Sequence, residues 1–211
     1  MRRLPVYLLL DTSGSMRGEP IEAVRTGVDL LVGMLRQDPY ALESVWLSII
    51  TFDRDVKVLL PLTSLETLLV PEITTPESGP THLGEALRTL CQEVRREVTR
   101  NTGDTKGDWR PLLFIMTDGS PSDIALYRET IADVRSSGFG NIVGCAAGPK
   151  ASVDVLAEVA HHTVRLDTLD ASGLKTFFTW VSASVSRGSL SQGTTAAPEL
   201  PPIPPELLMV V

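Results

Sequence analysis

Short apolar blocks alternate with longer amphipathic blocks along this chain, and the alternation predicts strands and helices in turn. The predicted strands are residues 6–10, 45–52, 56–62, 111–117, 141–147 and 162–166. The predicted helices, in which apolar residues recur three or four positions apart, are residues 21–35, 83–98, 122–137, 153–160 and 172–185. Strands that alternate with helices predict an α/β fold, here a doubly wound, mostly parallel six-stranded sheet with helices on both faces.

One pair of strands departs from the parallel pattern. Only Asp53, Arg54 and Asp55 separate the second strand from the third. A parallel crossover needs a dozen or more residues, so these two strands must form an antiparallel hairpin at an edge of the sheet. Local signals also predict that the first helix ends at Asp38-Pro39 and that Ser122 caps a later helix.

The composition changes near the C-terminus. After residue 187 the chain is rich in Ser, Gly, Thr and Ala, and from Pro198 onward prolines recur with overlapping Pro-x-x-Pro spacing. We therefore expect one domain over residues 1–187 and a Pro-rich tail over residues 188–211. Such a tail favours extended polyproline II, which suits a ligand for a partner or a strap over the domain, and a disordered end is the third alternative.

Composition and charge narrow the classes of function. The 211-residue chain has a net charge of −7, which opposes nucleic-acid binding because contacts to the phosphate backbone need clustered Lys and Arg. The apolar block after Arg2 and Arg3 is too short for a signal peptide or a membrane span. Cys91 and Cys145 form no Cys-x-x-Cys pair, which favours reduced core thiols over a disulfide. We expect a cytoplasmic protein that does not insert into membranes.

Candidate metal ligands follow the apolar strands. Asp11-Thr12-Ser13-Gly14-Ser15 comes directly after the first strand, Thr81 lies in a loop rich in turn residues, and Asp118 follows the fourth strand. Ligands of open α/β sheets bind outside the carboxyl ends of the strands, which is where these residues fall. Carboxylate and hydroxyl oxygens are the ligands that a hard cation such as Mg²⁺ prefers.

This set of residues resembles the metal-ion-dependent adhesion site (MIDAS) of the von Willebrand factor A domain. The resemblance rests on three pieces in the same order: the Asp-x-Ser-x-Ser motif, a threonine in a mid-chain loop, and a later Thr-Asp-Gly. It implies a divalent cation, Mg²⁺ first with Mn²⁺ or Ca²⁺ as alternatives, and an Asp or Glu of a partner protein that completes the coordination. The metal ligands that it implies, the aspartates often acting through water, are Asp11, Ser13, Ser15, Thr81 and Asp118.

The resemblance implies a docking module and not an enzyme, but two other classes of function remain open. A Mg²⁺-dependent phosphatase or hydrolase would use the same edge of the sheet, although a dehalogenase-like phosphatase needs a second carboxylate where Ser13 stands. Neither a Gly-x-Gly-x-x-Gly nor a Gly-x-Ser-x-Gly motif follows the first strand. The other class is an assembly protein in which the metal matters little.

Within the family, residues 3–16 are most similar to the small bacterial TerY-type proteins of tellurium-resistance and stress-response systems. This similarity implies a scaffold that acts with other Ter-type proteins, and with an associated protein kinase or phosphatase.

Four polar residues outside the motif also need an interpretation. His82 is typical of a helix cap or a solvent-facing residue more than of a ligand. For Asp123, helix capping or first-turn charge is favoured over holding a water near the metal. His161 and His162, beside a short edge strand, are expected to be structural or exposed.

Overall fold

The computed structural model of the protein describes residues 2–102, 104, 106–190 and 199–210. The strands within these residues are β1 Leu4–Asp11, β2 Val45–Phe52, β3 Val56–Ser64, β4 Leu112–Thr117, β5 Asn141–Ala147, β6 His162–Leu166 and β7 Leu208–Val210. The helices within them are α1 Glu19–Gln37, α2 Pro39–Ser44, α3 Leu83–Glu97, α4 Ile124–Ser136, α5 Val153–Val159 and α6 Ala171–Leu190. The strands form one sheet in the order β3-β2-β1-β4-β5-β6-β7.

The predicted doubly wound α/β architecture is confirmed. All six predicted strands are present, and β2, β5 and β6 have the predicted bounds. β3 pairs antiparallel with β2, as the short link requires, while β1, β2, β4, β5 and β6 run parallel. The sheet also has a seventh strand: β7 pairs antiparallel with β6, in a segment where the sequence predicted only an apolar end of the tail.

β1 shows why the central strands are apolar throughout. Leu8 and Leu10 face one layer of the core with α1 and α6, whereas Tyr7 and Leu9 face the other layer with α3, α4 and α5. Successive side chains of a strand point to opposite faces of the sheet. A strand covered on both faces therefore has no position left for a polar side chain until it ends.

The order of the strands reverses at β1, which lies between β2 and β4. Leu10 of β1 pairs with Met116 of β4, so Asp11 and Asp118 lie at neighbouring strand ends. Open α/β sheets bind their ligands in the crevice at such a reversal. The fold therefore brings two of the predicted ligands to the place where a ligand is expected.

The segment after α1 differs from the prediction. The sequence predicted only a stop at Asp38-Pro39, yet the short helix α2 begins at Pro39. The carboxylate of Asp38 accepts hydrogen bonds from the backbone N–H groups of Tyr40 at 3.0 Å and Ala41 at 3.4 Å. Asp38 is thus the N-cap of a new helix, and Pro39 occupies its first turn, where no N–H is needed.

Residues 188–190 of the predicted tail are the end of α6, whereas residues 199–210 lie against the domain. Trp180 of α6 donates a hydrogen bond from Nε1 to the carbonyl of Pro201 at 3.2 Å. Leu200 and Ile203 pack on the core layer that contains α1 and α6, and Leu207 is buried. Of the three alternatives for the tail, this arrangement corresponds to the strap.

The structure also bears on the cysteines and on membrane insertion. Cys91 and Cys145 are buried free thiols that belong to core layers on opposite faces of the sheet, so a disulfide between them is excluded. None of the helices in the described part of the chain is long and apolar enough to cross a lipid bilayer.

Candidate metal site

Asp11 is held between the ends of two strands. It is fully buried. Its Oδ1 accepts a hydrogen bond from the backbone N–H of Ser13 at 2.7 Å, and its Oδ2 accepts one from Thr117 Oγ1 at 2.5 Å. Thr117 is the last residue of β4. The side chain that ends β1 is therefore fixed by donors from its own turn and from the neighbouring strand.

The charge of Asp11 is poorly compensated by the protein. Burial raises the pKa of Asp11 from its ordinary 3.8 to about 6, and the hydrogen bonds from Thr117 and Ser13 oppose this rise only in part. Desolvation disfavours the charged form of a carboxyl group, and hydrogen bonds to the carboxylate favour it. Here desolvation has the larger effect.

Two serine hydroxyls connect the end of β1 to Asp118. Ser13 Oγ lies 3.2 Å from Ser15 Oγ, and Ser15 Oγ donates to Asp118 Oδ1 at 2.8 Å. A short 3₁₀ turn, Gly14–Met16, presents Ser15 to this crevice. Gly14 is required there, because a Cβ at this position would lie 2.9 Å from the backbone of Ser78.

Thr81 reaches the same edge from the loop before α3. It is 8% exposed, and a Cβ added to Gly119 would lie 3.5 Å from Thr81 Oγ1, which places this hydroxyl beside the residue after Asp118. Thr81 Oγ1 makes no hydrogen bond to any other residue that the structure describes. A hydroxyl that is held in place but unpartnered is suited to bind a ligand.

Asp118 resembles Asp11 in its electrostatics. Burial raises the pKa of Asp118, while the hydrogen bond from Ser15 and the more distant charge of Lys150 lower it. Among the ion pairs of the described residues, none involves Asp11 or Asp118. Two buried carboxylates thus lie at one edge of the sheet, and no cation of the described residues is paired with them.

The chemistry of this donor set fits a hard divalent cation. Two carboxylates supply two negative charges, and three hydroxyls add neutral oxygen donors, without sulfur or imidazole. Within the described ranges, no three His, Cys, Asp or Glu side chains are grouped so that they could hold a metal. A cation at this edge would therefore depend on the hydroxyls of Ser13, Ser15 and Thr81 as well as on the two aspartates.

Two further residues hold this end of β1 in place, of which sequence reasoning considered only Asp53, as a residue of the link between the second and third strands. Thr117 received no role, although a hydroxyl at the end of a buried strand needs a partner, which is the carboxylate of Asp11. Asp53 is buried and accepts a hydrogen bond from Thr12 Oγ1 at 2.9 Å. Its carbonyl accepts from the backbone N–H of His82 at 3.0 Å, so Asp53 connects the first strand end to the loop of Thr81.

The predicted cap at Ser122 is wrong, because Ser122 bonds to another segment. Its Oγ accepts a hydrogen bond from the backbone N–H of Thr81 at 3.1 Å, and its own N–H donates to the carbonyl of Thr81 at 2.8 Å. Asp123 occupies the N-cap position of α4, but its carboxylate caps α3 instead: it accepts from the N–H groups of Gly84 at 3.0 Å and Glu85 at 2.8 Å.

Two histidines have structural partners. The Nδ1 atom of His82 is hydrogen-bonded to the carbonyl of Arg54 at 2.9 Å, so His82 does not cap α3 with its side chain. His161 Nδ1 accepts from the backbone N–H of Ile142 at 3.2 Å, and burial lowers the pKa of His161.

The family model for the von Willebrand factor type A domain matches residues 6–120, a span that contains all five predicted ligands. No curated protein sequence matches this chain at a significant level.

Solved structures show the same fold at low sequence identity. A von Willebrand factor type A protein from Catenulispora acidiphila has a TM-score of 0.67 and 14% identity over 88% of this chain and 43% of its own. Proximal thread matrix protein 1 from the mussel byssus, with zinc in its MIDAS motif, has a TM-score of 0.59 and 18% identity over 86% and 48%. The pilus adhesin SpaC from Lactobacillus rhamnosus GG has a TM-score of 0.68 and 12% identity over 89% and 31%. The chain spans less than half the length of each of these proteins, and at such identities the likeness concerns the fold alone.

Proposed function

Because this chain belongs to the von Willebrand factor type A domain family, whose members are protein-interaction and adhesion modules, we propose that it is a metal-dependent docking module. In this proposal Asp11, Ser13, Ser15, Thr81 and Asp118 hold a divalent cation, with Mg²⁺ as the first candidate. An Asp or Glu of a partner protein then completes the coordination. The observation that supports it best is the hydrogen-bonded chain from Ser13 through Ser15 to Asp118, in the crevice between β1 and β4.

The balance of charge supports a cation that stays open to a partner. Asp11 and Asp118 supply two negative charges, which only neutralise a divalent ion, and the remaining donors are neutral hydroxyls. Both oxygens of Asp11 are already occupied by protein donors, so this carboxylate suits a contact through water. A cation with few direct carboxylate ligands keeps several exchangeable waters, and a partner's carboxylate can replace one of them.

We propose docking and not catalysis because no second carboxylate stands two positions after Asp11 in the sequence. Ser13 stands where a dehalogenase-like phosphatase would need its acid, and Ser13 Oγ is bonded to another hydroxyl. Incubation with p-nitrophenyl phosphate and Mg²⁺ tests this point. Turnover that is lost in Asp118→Ala would favour the hydrolase alternative.

The proposed biological setting rests on the similarity of residues 3–16 to TerY-type proteins. We propose a bacterial, cytoplasmic scaffold of a tellurium-resistance or stress-response system, whose partners include other Ter-type proteins or an associated kinase or phosphatase. Two buried thiols, Cys91 and Cys145, suit a reducing compartment. Mass spectrometry of the captured partners decides whether this setting is correct.

The metal-dependent docking is tested by partner capture from lysate. The wild-type protein is compared in Mg²⁺ and in EDTA with two variants, Asp118→Ala and Asp133→Ala. Asp133 is an exposed carboxylate near the C-terminal end of α4, the end far from Asp118, and serves as the matched control. We expect the wild type and Asp133→Ala to capture the same partner in Mg²⁺ only, and Asp118→Ala to capture none. Recovery that is indifferent to EDTA would contradict the proposal and favour a metal-indifferent assembly protein.

We further propose that the Pro-rich tail serves as a strap on the domain over residues 1–187. β7 adds to the sheet at β6, and Leu207 is buried. Removal of residues 199–211 should therefore lower the melting temperature, and an unchanged melting temperature would exclude the strap.

A further inference from the structure

We propose that Asp123 is a positioning residue, which fixes Thr81 relative to Asp118 so that these two ligands form one rigid unit. The inference deepens the proposed function and rests on it. Asp123 itself is not one of the proposed ligands.

Asp123 contacts the N-terminal turns of two helices, α4 through its backbone carbonyl and α3 through its carboxylate. Its carbonyl accepts the backbone N–H of Tyr127 at 2.9 Å, as expected of the first residue before α4. Its carboxylate accepts from the N–H groups of Gly84 at 3.0 Å and Glu85 at 2.8 Å, in the first turn of α3. A carboxylate that caps a helix normally precedes that helix in sequence. Here it comes from the loop that carries Asp118, so the cap joins two separate segments.

A second pair of hydrogen bonds joins the same two loops. Thr81 donates its N–H to Ser122 Oγ at 3.1 Å, and Ser122 donates its N–H to the carbonyl of Thr81 at 2.8 Å. Together with the two bonds to Asp123, these contacts hold the backbone from Thr81 to Glu85 against the loop from Asp118 to Asp123.

Close backbone packing supports the same unit. A Cβ on Gly84 would lie 2.4 Å from the backbone nitrogen of Tyr127 and 2.9 Å from Asp123 Oδ2, so the first turns of α3 and α4 are in direct contact. Only glycine permits this approach. The Thr81 hydroxyl also lies beside Gly119, which directly follows Asp118.

The serine turn is connected to Asp118 in a different way. Ser15 Oγ donates one side-chain hydrogen bond to Asp118 Oδ1, whereas Thr81 is joined to the Asp118 loop through its backbone. Residues that orient metal ligands without touching the metal change its affinity about 10–100-fold when mutated. Loss of the Asp123 carboxylate should therefore make the position of Thr81 relative to Asp118 less fixed and lower the affinity for the metal.

The experiment titrates Mn²⁺ alone into the full chain by calorimetry, for the wild type and for Asp123→Ala, Asp123→Asn and Asp38→Ala. Asp38 is the matched control, because its carboxylate also accepts two backbone N–H groups, at the start of α2. We expect Asp123→Ala to bind Mn²⁺ about 10–100-fold more weakly and Asp38→Ala to bind as the wild type does. Asp123→Asn keeps one acceptor oxygen, so its affinity for Mn²⁺ should lie between those of Asp123→Ala and Asp38→Ala. This variant also provides the test if Asp123→Ala does not fold.

Hydrogen exchange of the metal-free proteins provides a readout that does not depend on the metal. The amides of Thr81 and Glu85 should exchange faster in Asp123→Ala and Asp123→Asn, but not in Asp38→Ala. Unchanged exchange at Thr81, or Mn²⁺ affinity equal to wild type in both Asp123 variants, would overturn the inference. If the wild type itself binds no Mn²⁺, the proposed metal site fails, and the exchange rates still decide whether Asp123 fixes Thr81.

Discussion

Charged residues lie at both ends of β1 and β4. The edge of the sheet where these two strands begin differs from the edge where they end in how the charges are paired. At the edge where the strands begin, Arg3 donates to both oxygens of Asp108, at 2.8 Å and 2.6 Å. Arg2 lies over the ring of Trp109, with its guanidinium carbon 3.7 Å from the ring centroid. At the edge where the strands end, Asp11 and Asp118 are buried, and no described Lys, Arg or His forms an ion pair with them.

The difference indicates which edge is built for stability and which for binding. Burial of an ionised carboxylate costs free energy unless a positive charge is paired with it. At the edge where the strands begin, Arg3 is that partner for Asp108. At the edge where the strands end, the described residues supply hydroxyl and N–H donors and, for Asp118, the more distant charge of Lys150, but no ion pair, and the pKa values of both carboxyl groups remain raised. A cation from solution would provide what the chain does not. An Asp→Asn substitution at the edge where the strands end should therefore weaken metal binding but not stability. The same substitution at the edge where they begin should lower stability but not metal affinity.

The largest effect is expected for Asp118→Asn. We expect the affinity for Mg²⁺ to fall by more than about 100-fold, since loss of a mere supporting residue already costs about 10–100-fold. The free energy of unfolding of the metal-free protein should change little or rise, because the variant removes a buried charge without a paired cation. Calorimetric titration and urea unfolding measure the two quantities. Retained Mg²⁺ affinity would show that this edge is not the metal site.

Stability against pH should differ between wild type and Asp11→Asn. The folded-state pKa of Asp11 is raised to about 6 from 3.8, so the folded protein holds this proton more tightly than the unfolded chain does. Asp11 should therefore contribute a loss of stability to the metal-free wild type as the pH rises from about 4 to about 6, of roughly 3 kcal/mol at about 1.4 kcal/mol per pKa unit.

Asp11→Asn has no titrating carboxyl group at this position. Its free energy of unfolding should therefore lack the part of the decrease with pH that Asp11 contributes. Urea unfolding of the metal-free proteins between these pH values tests it. An equally steep loss of stability in Asp11→Asn would contradict the role assigned to burial.

For Asp108→Asn we expect the opposite of Asp118→Asn, namely a loss of stability without a loss of Mg²⁺ affinity. This change replaces the carboxylate that binds Arg3 in two places and also accepts the backbone N–H of Thr99 at 2.8 Å. The free energy of unfolding should fall by about 1–3 kcal/mol, because charge-assisted hydrogen bonds of a mostly buried group are weakened. Mg²⁺ affinity should equal that of the wild type. A loss of Mg²⁺ affinity in Asp108→Asn would show that the two edges are not independent.

The sequence predicted the sheet well because its strands are buried on both faces. Such strands are continuous apolar blocks, and the bounds of β2 and β5 could be predicted from the residues where the apolar block ends. β7 could not, because its three residues depend on pairing with β6 and follow a run of prolines. Helix α2 was missed because Asp38-Pro39, which ends one helix, is also a good start for the next.

The supporting contacts of the site were harder to predict than its proposed ligands. Asp11, Ser13 and Ser15 form a local motif, and their position after a strand is visible in the sequence. Ser122 and Asp123 are typical helix-capping residues, but their side chains bond to Thr81, Gly84 and Glu85, which lie far away in the chain. Capping propensity is a local property, and here tertiary contacts decide which helix is capped.

The smallest effect is expected at the rim of the site, for Ile124→Ser. Ile124 begins α4, directly after the loop that carries Asp118, and is 52% exposed. Leu69 is the matched control: it is 84% exposed and follows a turn anchored by the bond from Leu65 N–H to the carbonyl of Val45, at the edge where β2 begins.

A partner whose carboxylate binds the metal would also cover Ile124. Ile124→Ser should then weaken capture by about 2–5-fold, the equivalent of up to about 1 kcal/mol of apolar burial, and leave Mg²⁺ affinity unchanged. Leu69→Ser should leave both unchanged. Equal capture by the two variants would place the partner's contacts elsewhere on this edge, whereas a loss in both would show that docking extends to the edge that we assign to stability.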